Sequence, residues 1–260
     1  MTPEALPKQA TGPSPDGPPR ATTEPRILVS GGHRLAAEVT RPTGPVRGSV
    51  AVVHPHPGHG GHMDHGVVRL LADRAAAAGL VALRFDVRGV RHSEGDVDDA
   101  LGHLEDLLVA TEAAAAEAAA GLPRYGAGFS YGARLWLEAL RLETPPRCAG
   151  ALLLAPATRV PRTPRDFGDL LLGRPIREAA LDGRVLERLA KVPVPTRILV
   201  GERDVVAPPH ELSRHAGPLA TVTVLAGLNH FFSRATGGGS TATDVLAPAL
   251  DAAWGALVRD

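Results

Sequence analysis

The sequence predicts an α/β protein that has one mostly parallel, twisted sheet with helices on both faces. Short apolar segments alternate along the chain with longer segments of helical spacing. Several of the short segments are continuous apolar runs, which is typical of strands covered on both faces. The chain has 260 residues, of which 44% are hydrophobic, and this is enough for one large core.

The chain begins with a proline-rich segment and a hairpin. Residues 1–25 contain seven prolines and few large apolar side chains, so we expect a disordered tail followed by one domain over residues 26–260. Two short alternating stretches, Ile27–Val29 and Leu35–Val39, flank Gly31–His33. This pattern predicts a β-hairpin.

The remaining elements alternate in order. The apolar runs predict strands over Ser49–His54, Leu80–Phe85, residues ending near Phe129, Ala149–Leu154, Thr196–Val200 and Val222–Leu225. The helical spacing predicts helices over Asp64–Gly79, Val97–Ala120, Tyr131–Leu140, His210–His215 and a C-terminal segment that ends near Val258.

One strand-to-helix turn has the pattern Gly-x-Ser-x-Gly, from Gly128 through Ser130 to Gly132. A serine held in such a strained turn projects its hydroxyl over the sheet, and only residues without a large substituent at Cβ fit at the two crowded flanking positions, which Gly128 and Gly132 satisfy. The following helix directs free backbone N–H groups toward the same place. The turn therefore predicts a nucleophilic serine, whereas a simple turn serine is the alternative.

Two further strand exits carry an acid and a histidine. In a parallel open sheet, functional groups gather at the carboxyl ends of the strands, so Ser130, Asp204 and His230 are expected to meet there. Ser130 would be the nucleophile, His230 the general base and Asp204 the acid that orients the imidazole. Asp204 could instead only cap the next helix, with Glu202 as the rival acid, and His230 could be a surface histidine.

The loop after the first parallel strand contains five histidines in twelve residues, from His54 to His65. A metal site is one interpretation, but the loop has no cysteine and its prolines and glycines do not place ligands on a helix, so we expect no metal. The favoured interpretation is an oxyanion-hole loop. The two donors would be the backbone N–H groups of His56 and Tyr131, because Pro55 and Pro57 have none.

Six motifs in one order resemble a known family. They are His54–Pro57, Gly60–Gly61 with Met63–Asp64, Phe85–Gly89 with Ser93–Gly95, Gly128–Gly132, Gly201–Asp204 and Asn229–Phe232. Over about residues 45 to 256 the sequence is similar to bacterial α/β-hydrolases with an HPHP loop, relatives of the dienelactone-hydrolase and small-esterase groups. The resemblance implies the α/β-hydrolase fold, a Ser130–Asp204–His230 triad and no cofactor. His62, His65 and the long segment 157–192 depart from the family pattern.

Residues 157–192 interrupt the alternation with prolines, arginines and an apolar patch. We expect them to form a small cap over Ser130, with Phe167 and Leu171 lining the substrate pocket. The alternative is a surface excursion that packs elsewhere.

These features favour a serine hydrolase that cleaves a carboxylic ester of a small molecule. Thioester, amide or acyl-transfer chemistry on the same triad is the first alternative, and a non-catalytic ligand-binding protein of this fold is the second. Epoxide or haloalkane hydrolysis would call for an aspartate at position 130.

The composition excludes several partners. Lys plus Arg and Asp plus Glu number 28 each, so no net charge favours nucleic acid. A single cysteine, Cys148, indicates a reducing compartment, and no apolar run reaches the length of a membrane span. We therefore expect a cytoplasmic protein whose partner is a small ester or acyl substrate, with no membrane association; its oligomeric state is not predicted.

Overall fold

The structure, a computed structural model, describes residues 21–160, 180–181, 183–234 and 240–258. The strands are Thr22–Ser30 (β1), His33–Arg41 (β2), Gly48–Val53 (β3), Leu80–Phe85 (β4), Arg124–Phe129 (β5), Gly150–Leu154 (β6), Arg159–Val160 (β7), Ala180–Leu181 (β8), Thr196–Gly201 (β9) and Ala220–Leu225 (β10). The helices of the described residues are Gly66–Ala77 (α1), Ala100–Ala116 (α2), Tyr131–Ala139 (α3), Gly183–Ala190 (α4), Pro209–His215 (α5) and Thr243–Leu257 (α6).

Eight strands form one sheet in the order β1-β2-β4-β3-β5-β6-β9-β10. The six strands from β4 to β10 in this order are parallel to one another, whereas β2 runs antiparallel to both β1 and β4. Strands β7 and β8 pair separately as a short antiparallel ribbon. The predicted fold class, a mostly parallel sheet with helices, is confirmed.

The central strands are buried on both faces. Helices α1 and α6 pack together on the sheet, and α2 and α3 form a second packed pair against it. Every residue of β3, β4 and β6 is buried, so neither face of these strands shows a polar alternation. The edge strands β1 and β10 instead alternate between exposed and covered positions. The continuous apolar runs in the sequence therefore mark the centre of the sheet.

The first two strands form the predicted hairpin around Gly31 and Gly32, both of which have positive φ. Strand β1 begins at Thr22, so the domain starts earlier than residue 26 and the last four residues of the expected tail belong to the sheet. Residues 1–20 lie outside the described part of the chain.

Two helices start later than the apolar pattern predicts, because a polar side chain caps each one. Helix α1 begins at Gly66, after the His65 ring accepts a hydrogen bond from the N–H of Val67. Helix α2 begins at Ala100, after Asp99 accepts one from the N–H of Gly102. Such a capping acceptor satisfies a backbone donor that lacks an intrahelical partner and so fixes the first turn.

Part of the expected cap belongs to the main body of the domain. Within residues 157–192, helix α4 packs against α3 and α5 and buries Val185, Leu186 and Leu189 in the core. These apolar residues fill the helical layer on the sheet and do not cover Ser130. Phe167 and Leu171, the predicted pocket residues, lie outside the described residues.

Across the described ranges, no helix is long and apolar enough to cross a membrane.

Candidate active site

Ser130 occupies the sharp turn between β5 and α3. Its φ is 54° and its ψ is −107°, a conformation that L-residues rarely adopt, and its N–H donates to the carbonyl of Leu154 at 2.8 Å. A Cβ on Gly128 would lie 2.5 Å from the backbone of Gly132, and one on Gly132 would lie 2.3 Å from the carbonyl oxygen of Val53. The two glycines are therefore required by close backbone approach, as the sequence pattern predicts.

Three side chains from separate strand exits form a continuous hydrogen-bonded chain. The Ser130 Oγ lies 2.9 Å from the Nε2 of His230, and the His230 Nδ1 lies 2.8 Å from the Oδ2 of Asp204. All three residues are buried, at 6%, 1% and 3% exposure. Because Asp204 accepts at Nδ1, the imidazole presents its Nε2 lone pair to the serine hydroxyl. This arrangement can remove the hydroxyl proton as Oγ attacks an electrophile.

The two candidate acids have different surroundings. The Oδ1 of Asp204 accepts hydrogen bonds from the N–H groups of Val206 and Ala207 at 2.9 and 2.8 Å, while Oδ2 faces His230. Glu202 is exposed and accepts from the N–H of Gly227 at 2.8 Å. The structure thus brings Asp204, and not Glu202, to the imidazole. Asp204 does not cap the next helix, which begins at Pro209 after Pro208; its Oδ1 instead closes the turn that leaves β9.

The backbone N–H groups of His56 and Tyr131 have no protein acceptor among the described hydrogen bonds. The two side chains are in contact, with ring centroids 5.0 Å apart in an edge-on arrangement. The Tyr131 hydroxyl also lies 2.8 Å from the Nδ1 of His103 on α2. The loop that carries His56 is therefore packed directly against the first residue of α3, the helix that follows Ser130.

Three histidines of this loop act as local caps. The Nδ1 atoms of His56, His62 and His65 each accept from the N–H two residues ahead, at 3.0, 3.1 and 3.3 Å. Within the described residues, no group of three His, Cys, Asp or Glu side chains is arranged to hold a metal ion. The histidine repetition therefore has a structural explanation in the turns of the loop.

His54 holds the start of the loop against the next strand exit. Its Nε2 accepts from the N–H of Val87 at 3.2 Å, and its Nδ1 lies 2.6 Å from the carbonyl of Pro55. The ring is fully buried, and this burial lowers the pKa of His54 to about 3. His54 is therefore neutral and donates from Nδ1, so the residue positions the loop and is not available as an acid.

The polar loop after β4 is hydrogen-bonded to the histidine loop. Asp86 accepts from the N–H of Met63 at 2.6 Å, and the Ser93 hydroxyl donates to the Asp86 carbonyl at 2.8 Å. Burial raises the pKa of Asp86. Arg88 is also buried and pairs with Asp106. Neither Asp86 nor Arg88 lines the cleft above Ser130, so this motif is structural.

A cleft opens above Ser130 and His230, and several of its lining residues were not predicted from the sequence. They are His59, His65, Arg134, Ala157, Arg159, Val206 and Phe231. Most of them lie beside a feature that the sequence did predict. Arg134 follows Ser130 by one helical turn, Phe231 follows His230, and the others except Val206 belong to the histidine loop or to the start of segment 157–192. Only the folded chain shows that these segments meet at one cleft.

Solved structures show the same fold at low sequence identity. An α/β serine hydrolase homologue from Coxiella burnetii is 24% identical, with a TM-score of 0.67 over 88% of this chain and 96% of that one. An α/β serine hydrolase without a lid from Xanthomonas campestris is 22% identical, with a TM-score of 0.65 over 92% and 95%. Est1E from Butyrivibrio proteoclasticus, with ferulic acid bound, is 16% identical, with a TM-score of 0.66 over 90% and 99%.

No curated protein matches this sequence. The family model for the serine aminopeptidases S33 matches residues 44–182, which is more than half of the chain. This segment runs from the approach to β3 through the Ser130 turn and beyond β6. The protein is an α/β-hydrolase and belongs to the serine aminopeptidase S33 family of hydrolases.

Proposed function

We propose that this hydrolase cleaves a carboxylic ester of a small molecule through an acyl-enzyme intermediate on Ser130. The observation that carries the proposal is the buried chain of hydrogen bonds from Ser130 through His230 to Asp204. Two neutral donors and a strained nucleophile at strand exits are the remaining parts of an acyl-transfer site.

In the first half-reaction, His230 takes the proton of Ser130 as Oγ bonds to the ester carbonyl carbon. The carbonyl oxygen becomes an oxyanion, and the N–H groups of His56 and Tyr131 donate to it. Asp204 stabilises the imidazolium while remaining ionised. His230 then protonates the departing alkoxide oxygen, the C–O bond breaks, and an alcohol leaves the acyl-enzyme.

In the second half-reaction, water replaces the alcohol. His230 removes a proton from the water as its oxygen bonds to the acyl carbon, and a second oxyanion forms at the same two N–H donors. The bond to Ser130 Oγ breaks, His230 returns the proton to Oγ, and a carboxylic acid is released. No step requires a cofactor.

Within its family we place the chain with the small esterases that have an HPHP loop, on the motif that begins at His54. The esterase neighbours support ester cleavage, since a protein from Rhodothermus marinus and one from Pyrococcus furiosus are described as an esterase domain and an esterase. The family description, serine aminopeptidase, favours amide hydrolysis as the second candidate. Both would use the same residues.

The test is a panel of chromogenic esters of increasing acyl length, with matched thioesters and anilides, assayed on wild-type protein and Ser130→Ala. We expect ester turnover to fall by about 10⁴–10⁶-fold in the variant, since the attacking atom is lost. Ser213→Ala is the matched control, because Ser213 is exposed on α5.

A fluorophosphonate probe gives an independent readout. We expect it to label the wild type and Ser213→Ala but not Ser130→Ala. Ester turnover close to wild type in a folded Ser130→Ala protein would overturn the proposal. Faster cleavage of anilides than of esters would move the assignment to the amidase alternative.

A further inference from the structure

His103 on α2 is a buried titratable residue to which the proposed reaction gives no role. It is only 3% exposed, and its Nδ1 lies 2.8 Å from the hydroxyl oxygen of Tyr131 on α3. Burying a polar ring costs free energy that an apolar side chain of the same size would not cost. The presence of a histidine here therefore needs an explanation beyond the packing of α2 on α3.

Tyr131 connects this buried histidine to the proposed oxyanion hole. The backbone N–H of Tyr131 is one of the two proposed donors. Its ring lies edge-on against the ring of His56, whose N–H is the other donor, with ring centroids 5.0 Å apart. The ring of His103 also lies edge-on to the Tyr131 ring, with centroids 5.8 Å apart. One phenol ring thus contacts both α2 and the loop that carries His56.

Both partners of the hydrogen bond are neutral at neutral pH. Burial raises the pKa of Tyr131 to about 12, so the hydroxyl stays protonated. Burial also lowers the pKa of His103, and the nearby charges of Asp106 and Asp99 oppose that shift without cancelling it. The pair therefore adds no charge beside the oxyanion, and an effect on the reaction must come from geometry.

Helix α2 is itself fixed to the loop after β4. The Nη2 of the buried Arg88 lies 2.7 Å from the Oδ1 of Asp106, and its Nη1 lies 2.9 Å from the Oδ2 of Asp99. The backbone N–H of Arg88 donates to Asp106 as well, at 2.8 Å. Both acids lie within four residues of His103. The part of α2 that presents His103 to Tyr131 is therefore held by several charge-assisted hydrogen bonds.

We propose that His103 is a positioning residue for the oxyanion hole. Through its hydrogen bond to the Tyr131 hydroxyl it fixes the ring of Tyr131, and this ring supports the loop that carries His56. The two N–H donors then keep their positions relative to Ser130 while charge develops on the carbonyl oxygen. This inference rests on the proposed function, which gives the two N–H groups their role.

The test removes the hydrogen bond from each end and then from both. Tyr131→Phe keeps the N–H and the ring but loses the hydroxyl, and His103→Leu replaces the imidazole with an apolar side chain of similar size. We expect kcat for 4-nitrophenyl acetate to fall by about 3–10-fold in each variant, the range that one neutral hydrogen bond gives. KM should change by less than about twofold, because the donors act in the transition state. The double variant should lose no more, since both changes remove the same hydrogen bond.

Two further variants separate positioning from stability alone. His103→Asn can place an acceptor or a donor near the position of Nδ1, and kcat should return to within about twofold of wild type. Thr111→Val is the matched control, because Thr111 is a buried residue of α2 whose hydroxyl donates to the Leu107 carbonyl at 2.8 Å and does not line the cleft. It removes one buried hydrogen bond from the same helix, so Tm should fall while kcat stays at the wild-type value.

Three results would overturn the inference. Unchanged kcat in folded Tyr131→Phe and His103→Leu would show that the hydrogen bond does not affect the oxyanion hole. A loss in the double variant equal to the product of the two single losses would show that the two residues act separately. A loss of kcat in Thr111→Val as large as that in His103→Leu would show that any weakening of α2 lowers activity.

The rate at which a fluorophosphonate probe labels Ser130 separates this inference from the esterase proposal. The phosphoryl oxygen of the probe gains negative charge at the same two N–H donors. If the wild type is labelled but cleaves no ester, the esterase proposal fails, and labelling slowed by about 3–10-fold in Tyr131→Phe and His103→Leu would still support positioning by His103. Labelling of both variants at the wild-type rate would overturn the inference whether or not esters are cleaved.

Discussion

The Oδ2 of Asp204 lies 2.8 Å from the Nδ1 of His230, across 26 positions of sequence. The other carboxylate oxygen is held by the N–H groups of Val206 and Ala207. The carboxylate therefore cannot rotate away from the ring without breaking two backbone hydrogen bonds. A fixed carboxylate selects the tautomer in which Nε2 faces Ser130.

This relationship predicts unequal effects of two conservative substitutions. Asp204→Asn removes the charge that orients and stabilises the imidazole, and we expect kcat for the best ester to fall by about 10⁴-fold. Glu202→Gln is the control, because Glu202 is exposed and its side chain accepts a hydrogen bond from the N–H of Gly227. It should change kcat by less than about threefold, in line with a surface substitution. Steady-state kinetics on both folded variants measure these two changes in kcat. A large loss of kcat in Glu202→Gln and a small one in Asp204→Asn would show that Glu202 orients His230.

A second prediction concerns the N–H of His56. The backbone of His56 has a φ of −58° and a ψ of 128°, which proline adopts without strain and which is allowed before Pro57. His56→Pro therefore deletes one donor while keeping the local conformation. We expect kcat to fall by about 10²–10³-fold, the usual effect of losing an oxyanion donor.

His56→Asn is the matched variant, because asparagine keeps the N–H and can replace the ring as the acceptor for Gly58. Its kcat should stay within about tenfold of wild type. Thermal melting must show that both proteins are folded. Equal rates in the two variants would place the donor elsewhere in the loop, and a severe loss in the asparagine variant would show that the imidazole acts directly.

A third prediction tests the close packing behind the nucleophile. A Cβ at Gly132 would lie 2.3 Å from the Val53 carbonyl oxygen, so α3 must move away from β3 in Gly132→Ala. We expect the free energy of unfolding to fall by about 1–3 kcal/mol, the typical cost of overpacking. Urea denaturation measures this.

Gly255→Ala supplies the contrast, because Gly255 lies within α6 and a Cβ there meets no atom within 4 Å. Alanine should stabilise this helix by about 0.5–1 kcal/mol. If both alanines had the same effect, the close approach of α3 to β3 would not be a determinant of stability.

A fourth prediction follows from His54. Burial lowers the pKa of His54 from 6.5 to about 3. Below pH 6.5, His54 is therefore protonated in the unfolded chain but stays neutral in the folded one. The stabilisation by neutral His54 is therefore complete above pH 6.5 and is lost as the pH falls toward 3. By pH 5 the loss amounts to about 2 kcal/mol.

Urea denaturation of wild type and His54→Gln at pH 7 and pH 5 measures this contribution, and the variant should lose less stability between the two. If the variant does not fold, NMR of the wild type gives a direct answer. The His54 ring resonances should not move between pH 7 and pH 4.5. A midpoint near 6.5 would contradict the neutral, buried ring.

The architecture and the candidate nucleophile were predictable from local patterns. Buried parallel strands require apolar residues on both faces, so β3, β4 and β6 are visible as apolar runs. The Ser130 turn is visible because its geometry excludes side chains at Gly128 and Gly132. Both signals arise because burial and close backbone approach select residue types directly, so each constraint leaves its mark within a short stretch of sequence.

Helix boundaries were less predictable, because they depend on caps of unusual chemistry. The apolar pattern extends α1 back to Asp64, but the His65 ring accepts the Val67 N–H and starts the helix at Gly66. Histidine is not among the residues preferred at this position. Residue preferences therefore do not predict that α1 begins at Gly66.

By itself, the sequence determined the α/β class, the order Ser130, Asp204, His230 and the position of each at a strand exit. Only the tertiary structure decided that Asp204 and not Glu202 meets His230, that the loop histidines cap turns, and that Arg134 and Arg159 share the cleft. The physical reason is that periodicity records which face of an element is buried, whereas a site depends on distances between elements. Those distances are set by the order of the strands in the sheet, which no local pattern encodes.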